Sequence, residues 1–303
     1  MSESDKPKGC PVHPSTGGDE TLTYNSYLKV PELLGLQQFE SEPPAHDELL
    51  FITIHQAYEL WFKQILFELD SVQEAMADDQ IYEASRLLKR VLKIESLLVD
   101  QIHILETMTP RDFLRFRSVL NPASGFQSIQ FREVEFLSGV RDRSLLKHIR
   151  QEEEEAQRLQ RRLEEPSLRT GFYRLLQRQG FEVKVPSEDG EPTPEVREHN
   201  LKVLFELYRY PEERFHLYTL SESLVEHDQN ILLWRFHHVR VVERLIGTKM
   251  GTGGSAGVEY LNSTLNRRAY PVLWEVRGTL SDDEIYGERG ERTQGDSDEE
   301  SSQ

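Results

Sequence analysis

The chain runs to 303 residues, enough for one large domain or two smaller ones and for a sizeable buried core. Its 36 lysines and arginines against 53 aspartates and glutamates leave a formal net charge of −17, which argues against a nucleic-acid backbone or an anionic membrane as partner. Cys10 is the only cysteine, which excludes a disulfide framework or a thiolate zinc site within one chain, and no apolar run approaches the roughly 18 residues of a bilayer span.

Taken from the start, residues 1–20 are rich in Lys, Ser, Pro and Gly and carry no apolar signal-peptide core, so a disordered tail and a soluble cytoplasmic protein are expected. Pro43-Pro44 marks the approach to a helix on which Phe51, His55, Tyr58, Phe62, Ile65, Leu69 and Val72 repeat at steps of four and three, with Asp47 and Glu48 suited to its first turn. Leu87, Val91, Ile94, Leu98, Ile102 and Leu105 mark a second helix. Thr109-Pro110-Arg111-Asp112 reads as the start of a third, with a cap, a proline at the first position and an acid three residues on; it should stop before Asn121-Pro122.

The charged stretch 143–165 reads as a solvated helix face with opposite-sign pairs. A short helix is expected over 172–178, a loop over 183–193 and a helix over 196–208. The spacing then predicts a long helix over 212–246, ended by Gly247. The last stretch, 281–303, is acidic and nearly free of apolar residues, a second disordered tail. No period-2 strand and no internal repeat stands out. The fold class is all-α: a helical bundle domain over 21–280 between two tails, with the two early helices as its frame.

His238 sits at the centre of an apolar stripe. On a wheel of 100° per residue, Trp234, Val242, Ile231, Leu245, Leu224 and Leu220 fall within about 40° of it. A ring so placed is buried, and burial of a polar ring is costly without a partner. The residues leave two readings: a core histidine bonded to a neighbour, or a metal or heme ligand. His237 turns about 100° away, toward Arg244, and is the poorer ligand. His55 and Phe51 stack four apart on one face, which by itself is ordinary core; His46 lies outside that face, near the helix start. Arg117, beside the Pro122-Ala123-Ser124-Gly125 turn, could grip a carboxylate with its planar fork or form a surface ion pair.

Gly251-Thr252-Gly253-Gly254-Ser255-Ala256 fits a G-x-G-x-x-A nucleotide fingerprint in letters only, because a long helix and not a strand precedes it. It reads as backbone free to approach a ligand, or as a mobile turn. Cys10-Pro11 and the Asn262-Ser263-Thr264 sequon carry no argument. Without a Cys partner or an His-Glu-x-x-His helix, no zinc site stands out.

Five segments in order resemble one family. They are Leu22-Thr23-Tyr24-Asn25-Ser26-Tyr27-Leu28; His46-Asp47-Glu48-Leu49-Leu50-Phe51-Ile52 through His55-Gln56-Ala57-Tyr58-Glu59-Leu60-Trp61; Phe113 to Arg117 with Pro122-Ala123-Ser124-Gly125-Phe126; Trp234-Arg235-Phe236-His237-His238; and Gly251-Thr252-Gly253-Gly254-Ser255. The family is tryptophan 2,3-dioxygenase. The departures are small: Phe113 is Tyr in some members, Ala256 is often Ser, and the position of His237 varies.

The resemblance implies a helical homotetramer with one heme b per subunit. It implies insertion of dioxygen across the indole C2–C3 bond of L-tryptophan to give N-formyl-L-kynurenine, the first step of the kynurenine pathway. It implies His238 as the iron ligand and Arg132 near a heme propionate. His55 would hydrogen-bond the indole N–H, and Phe51 would pack on indole and heme. Phe113, Ser124 and Gly125 would lie in the substrate segment, Arg117 on the carboxylate and Thr252 at the ammonium end. Tyr24, Tyr27 and Leu28 would complete a neighbouring subunit's pocket. Two alternatives share this scaffold: a heme enzyme for another indole, and a non-enzymatic heme sensor.

Overall fold

The computed structural model describes residues 22–143, 153–247, 249 and 258–281, and among these every regular element is helical, as expected for an all-α chain. Both tails, with Cys10, and the glycine-rich stretch 251–257, with Thr252, lie outside the described residues. The chain divides into two compact units, residues 1–38 and 39–303. In the first, Thr23 caps α1 (Tyr24–Leu28): its hydroxyl accepts from the Ser26 N–H, and the Ser26 hydroxyl accepts from the Thr23 N–H. Lys29, in the left-handed region at φ 54°, turns the chain into α2 (Val30–Leu34). Neither helix buries a residue.

The second unit runs through α3 (His46–Ala77), α4 (Ile81–Leu105), α5 (Pro110–Leu114), α6 (Ile129–Ser138), α7 (Glu153–Glu164), α8 (Leu168–Arg178), α9 (Pro194–Arg209), α10 (Phe215–Ile246), α11 (Val258–Ser263) and α12 (Pro271–Glu275). Three long helices, α3, α4 and α10, form the frame. Leu69, Val72 and Met76 of α3, Leu88, Val91 and Ile102 of α4, and Leu220 and Leu224 of α10 are wholly buried. Truncating one such leucine to alanine costs about 2–5 kcal/mol. The expected acid in the first turn of α3 has a specific task. Buried Glu48 accepts from the Glu40 and Ser41 N–H groups and from the Ser41 hydroxyl, which fixes the chain before the helix. Gly247 ends α10 at φ 60°, a conformation side chains resist.

Three segments differ from the sequence reading, each for a physical reason. Thr109 does cap α5, accepting from the Asp112 N–H, but the helix lasts only to Leu114 and tightens into a 3-10 turn over Arg117–Leu120. That tightening keeps Phe113 and Phe116 both buried. Helix α6 is unannounced because nine of its residues, Arg132, Glu133 and Glu135 among them, are buried, so it has no amphipathic stripe to read. The charged stretch is not simply solvated. Leu159 and Leu163 of α7 close a small core with Ile129 and Phe136. Arg162 is buried, donating to both carboxylate oxygens of Asp70 (2.5 and 2.8 Å) and to Glu133 (3.4 Å). Residues 144–152 of that stretch lie outside the described residues.

Candidate active site

Helix α3 sets Phe51 and His55 one turn apart, with ring centroids 4.0 Å from each other. The His55 Nδ1 lies 2.6 Å from the Phe51 carbonyl oxygen. A carbonyl only accepts, so Nδ1 carries the proton and Nε2 is left with a lone pair. Burial pushes the His55 pKa below its usual value, outweighing the backbone bond and nearby Glu59, which pull it up. His55 is therefore a neutral imidazole with a fixed tautomer.

Phe51 also meets Phe113 (5.8 Å) and Phe116 (5.5 Å), and these rings build one aromatic wall. Glu59, one turn beyond His55, accepts from the Ser128 hydroxyl (2.6 Å) and from Gln130 (2.8 Å), which ties the start of α6 to α3.

Opposite stands α10. Its Trp234 lies one turn before His238, and the two rings stack nearly parallel, 5.1 Å apart at 4°. Burial lowers the His238 pKa to about 4, with the positive charge of Arg132 adding to the effect. Among the described residues no hydrogen bond reaches this ring. Phe131 also packs on Trp234, at 4.7 Å.

Between these walls is a cavity of ≈ 240 Å³. Phe51, His55, Phe113, Arg117, Ser124, Gly125, Arg132 and His238 all line it, so the tertiary fold brings every described residue singled out for unit two to one place. Tyr24, Tyr27 and Leu28 belong to the first unit, where all three are exposed. His237 faces elsewhere, its ring 4.7 Å from that of His103.

Two lining residues escaped the sequence reading. Buried Glu135 accepts from Arg132 Nη1 (2.6 Å) and from Arg235 Nη2 (2.5 Å). Burial alone would raise its pKa, but the two guanidiniums win and hold it below the usual carboxylate range. The signal available was the Arg132–Glu135 pair at i, i+3, and Arg235 three residues before His238. The floor of the cavity is thus an ion triad of two cations and one anion, left with net positive charge.

Fold and site together define an all-α ligand-binding protein in which two neutral imidazoles and an aromatic wall enclose an apolar chamber with a cationic floor. A family profile described as tryptophan 2,3-dioxygenase matches residues 11–184 and 190–280. Proteins named tryptophan 2,3-dioxygenase are 48% identical over 264 residues in Nocardioides sp. (86% of this chain, 95% of that one) and 46% identical over 264 residues in Anaeromyxobacter dehalogenans (86% and 96%). One from Herpetosiphon aurantiacus is 43% identical over 265 residues (86% and 99%). The chain belongs to the tryptophan 2,3-dioxygenase family and is an oxidoreductase enzyme. Among the described residues no helix is long and apolar enough to cross a membrane.

Proposed function

We propose that the chain is a heme-dependent dioxygenase that inserts dioxygen across the indole C2–C3 bond of L-tryptophan. The product is N-formyl-L-kynurenine, the first step of the kynurenine pathway, made by a cytoplasmic homotetramer with one heme b per subunit. Two neutral imidazoles on one aromatic cavity, one of them without a hydrogen-bond partner among the described residues, support this reading best.

The residues present fit a heme. His238 is an uncharged, half-buried imidazole that opens on the chamber, which would suit an iron ligand. Arg132, buried in the floor, suits a propionate. Bound there, the heme would supply the iron that activates dioxygen.

The chain's own residues do the rest. Phe51 and Phe113, with buried Phe116 packed against both, clamp a flat apolar ring and keep water from it. His55 Nε2 accepts the indole N–H, which fixes the edge of the ring that faces the reacting oxygen. Arg117 takes the substrate carboxylate, and Ser124 and Gly125 close the space beside it. Thr252 is assigned to the ammonium end, and Tyr24, Tyr27 and Leu28 to a neighbouring subunit's pocket. Substrate plus dioxygen equals product atom for atom, so the reaction needs no external reductant.

The test is turnover of L-tryptophan by the reduced, heme-loaded full chain in air, with the product mass raised by two oxygen atoms. One added oxygen, or none, would replace this reading by a mono-oxygenating enzyme or a heme sensor. Arg117→Ala should lower kcat/KM at least about tenfold, since a charge-assisted bond in a dry site contributes about 1.5–3 kcal/mol. Tryptamine, without the carboxylate, should be a poor substrate of the unaltered enzyme; equal turnover of the two would remove the role from Arg117.

A further inference from the structure

We propose that His103, Glu106 and His237 form a second metal site, one for a divalent cation of the Zn²⁺ class, where the end of α4 meets α10. Each residue offers one donor atom, and the three atoms lie within 4.8 Å of one another. His103 and Glu106 sit one turn apart at the end of α4, with His103 Nδ1 3.3 Å from the Glu106 carboxylate. His237 comes from another helix, 134 positions along the chain from His103, and meets His103 edge to face at 78°.

Ligand chemistry selects the ion. Two imidazole nitrogens and one carboxylate oxygen suit Zn²⁺, Cu²⁺ or Ni²⁺, whereas Mg²⁺ and Ca²⁺ prefer oxygen throughout. Around a tetrahedral Zn²⁺ with bonds of about 2.0–2.1 Å, neighbouring donors stand about 3.3 Å apart. The His103–Glu106 pair already has that separation. The His237 ring must close by at most about 1.5 Å, within reach of side-chain rotation where His103 is half exposed. Arg244, 3.9 Å from Glu106 and 65% exposed, can swing into solvent as the cation takes the carboxylate. Three protein donors leave a fourth position to water, the open form of a zinc site.

The cation would clamp the end of α4 to the turn of α10 that carries His238, so it would stabilise the helix frame at the cavity without entering the cavity. The site does not depend on the proposed reaction, and its test does not read activity.

The heme-loaded full chain, made without a polyhistidine tag, is titrated with Zn²⁺ by calorimetry near neutral pH, and its thermal midpoint is followed with and without Zn²⁺. The unaltered chain should bind one more Zn²⁺ than His103→Ala or His237→Ala, or bind it at least about tenfold more tightly. Its midpoint should rise with Zn²⁺ where those of the variants do not. His103→Ala removes a half-exposed surface side chain, so that comparison stands even if His237→Ala proves unstable. Equal Zn²⁺ uptake by the unaltered chain and His103→Ala, or no uptake by either, would overturn the site. In the second case the ion pair and ring contact alone account for the cluster.

Discussion

His227 and His238 lie three turns apart on α10, about 20° from each other on the helical wheel, His227 buried and His238 half-buried. Their surroundings are opposite. His227 has both nitrogens engaged, Nδ1 2.7 Å from Glu95 and Nε2 2.8 Å from the Ser138 hydroxyl, so it joins α10 to α4 and α6. The next residue, Asp228, accepts from the Ala269 and Tyr270 N–H groups and from the Trp274 indole, which fastens the C-terminal segment to the same helix. His238 has a stacked indole on one side and a chamber on the other. A buried histidine with two partners is structural. One without them, on a cavity, is available to a ligand.

The electrostatics separate the two in the same way. Burial tends to lower the His227 pKa, but the Glu95 carboxylate outweighs it and the value rises; burial pushes Glu95 upward too. The pair therefore holds its proton to higher pH than free histidine does. Nothing of that kind offsets the burial of His238, which falls to about 4.

The largest effect that could break this contrast is on cofactor binding. His238→Ala should lose most of its bound heme while staying folded, and His237→Ala should keep it, read as heme absorbance per chain. Equal loss from both would mean that the ligand was misassigned.

Next comes stability. Glu95→Ala leaves His227 with a single partner and should cost about 3–5 kcal/mol in denaturant unfolding. In the heme-free chain His238→Ala should cost less than about 1.5 kcal/mol, because no hydrogen bond is lost. The pH dependences should have opposite signs. A raised His227 contributes stability that is full below pH 6.5 and is lost as pH rises through its folded value. For His238 the unfolded chain takes up a proton between pH 6.5 and about 4 and the folded chain does not, so stability falls as pH falls through that window. His238→Ala should accordingly gain on the unaltered heme-free chain as the pH drops. Parallel curves would show that the two histidines do not differ as described.

The smallest effect concerns His55. One neutral hydrogen bond contributes about 0.5–1.5 kcal/mol, so His55→Ala should retain dioxygenase activity, lowered about tenfold. Because its pKa is depressed, the unaltered enzyme should hold kcat/KM steady as pH falls through 6.5. Normal heme and tryptophan binding with no turnover in His55→Ala would instead mark an essential base.

Periodicity carried the long helices. The repeat from Phe51 to Val72, the run from Leu87 to Leu105 and the stripe around His238 each become a frame helix, and Thr109 and Gly247 mark ends where expected. A stripe is legible because one face is buried and the other wet. Helix α6 is buried nearly all round and left no such trace, whereas α7 was legible as a helix but not its two buried leucines among charges.

The sequence by itself determined the helical class and, through five ordered segments, the family, since local spacing and residue type survive without coordinates. Tertiary structure alone decided what each buried polar group meets. It gave Glu135 its two arginines, set His55 Nδ1 on the Phe51 carbonyl and brought His103 and Glu106 to His237. It also divided His227 from His238, which a helical wheel sets on the same face. Facing is a property of one helix, whereas partnership depends on side chains brought together from positions as far apart as Tyr58 and Trp234.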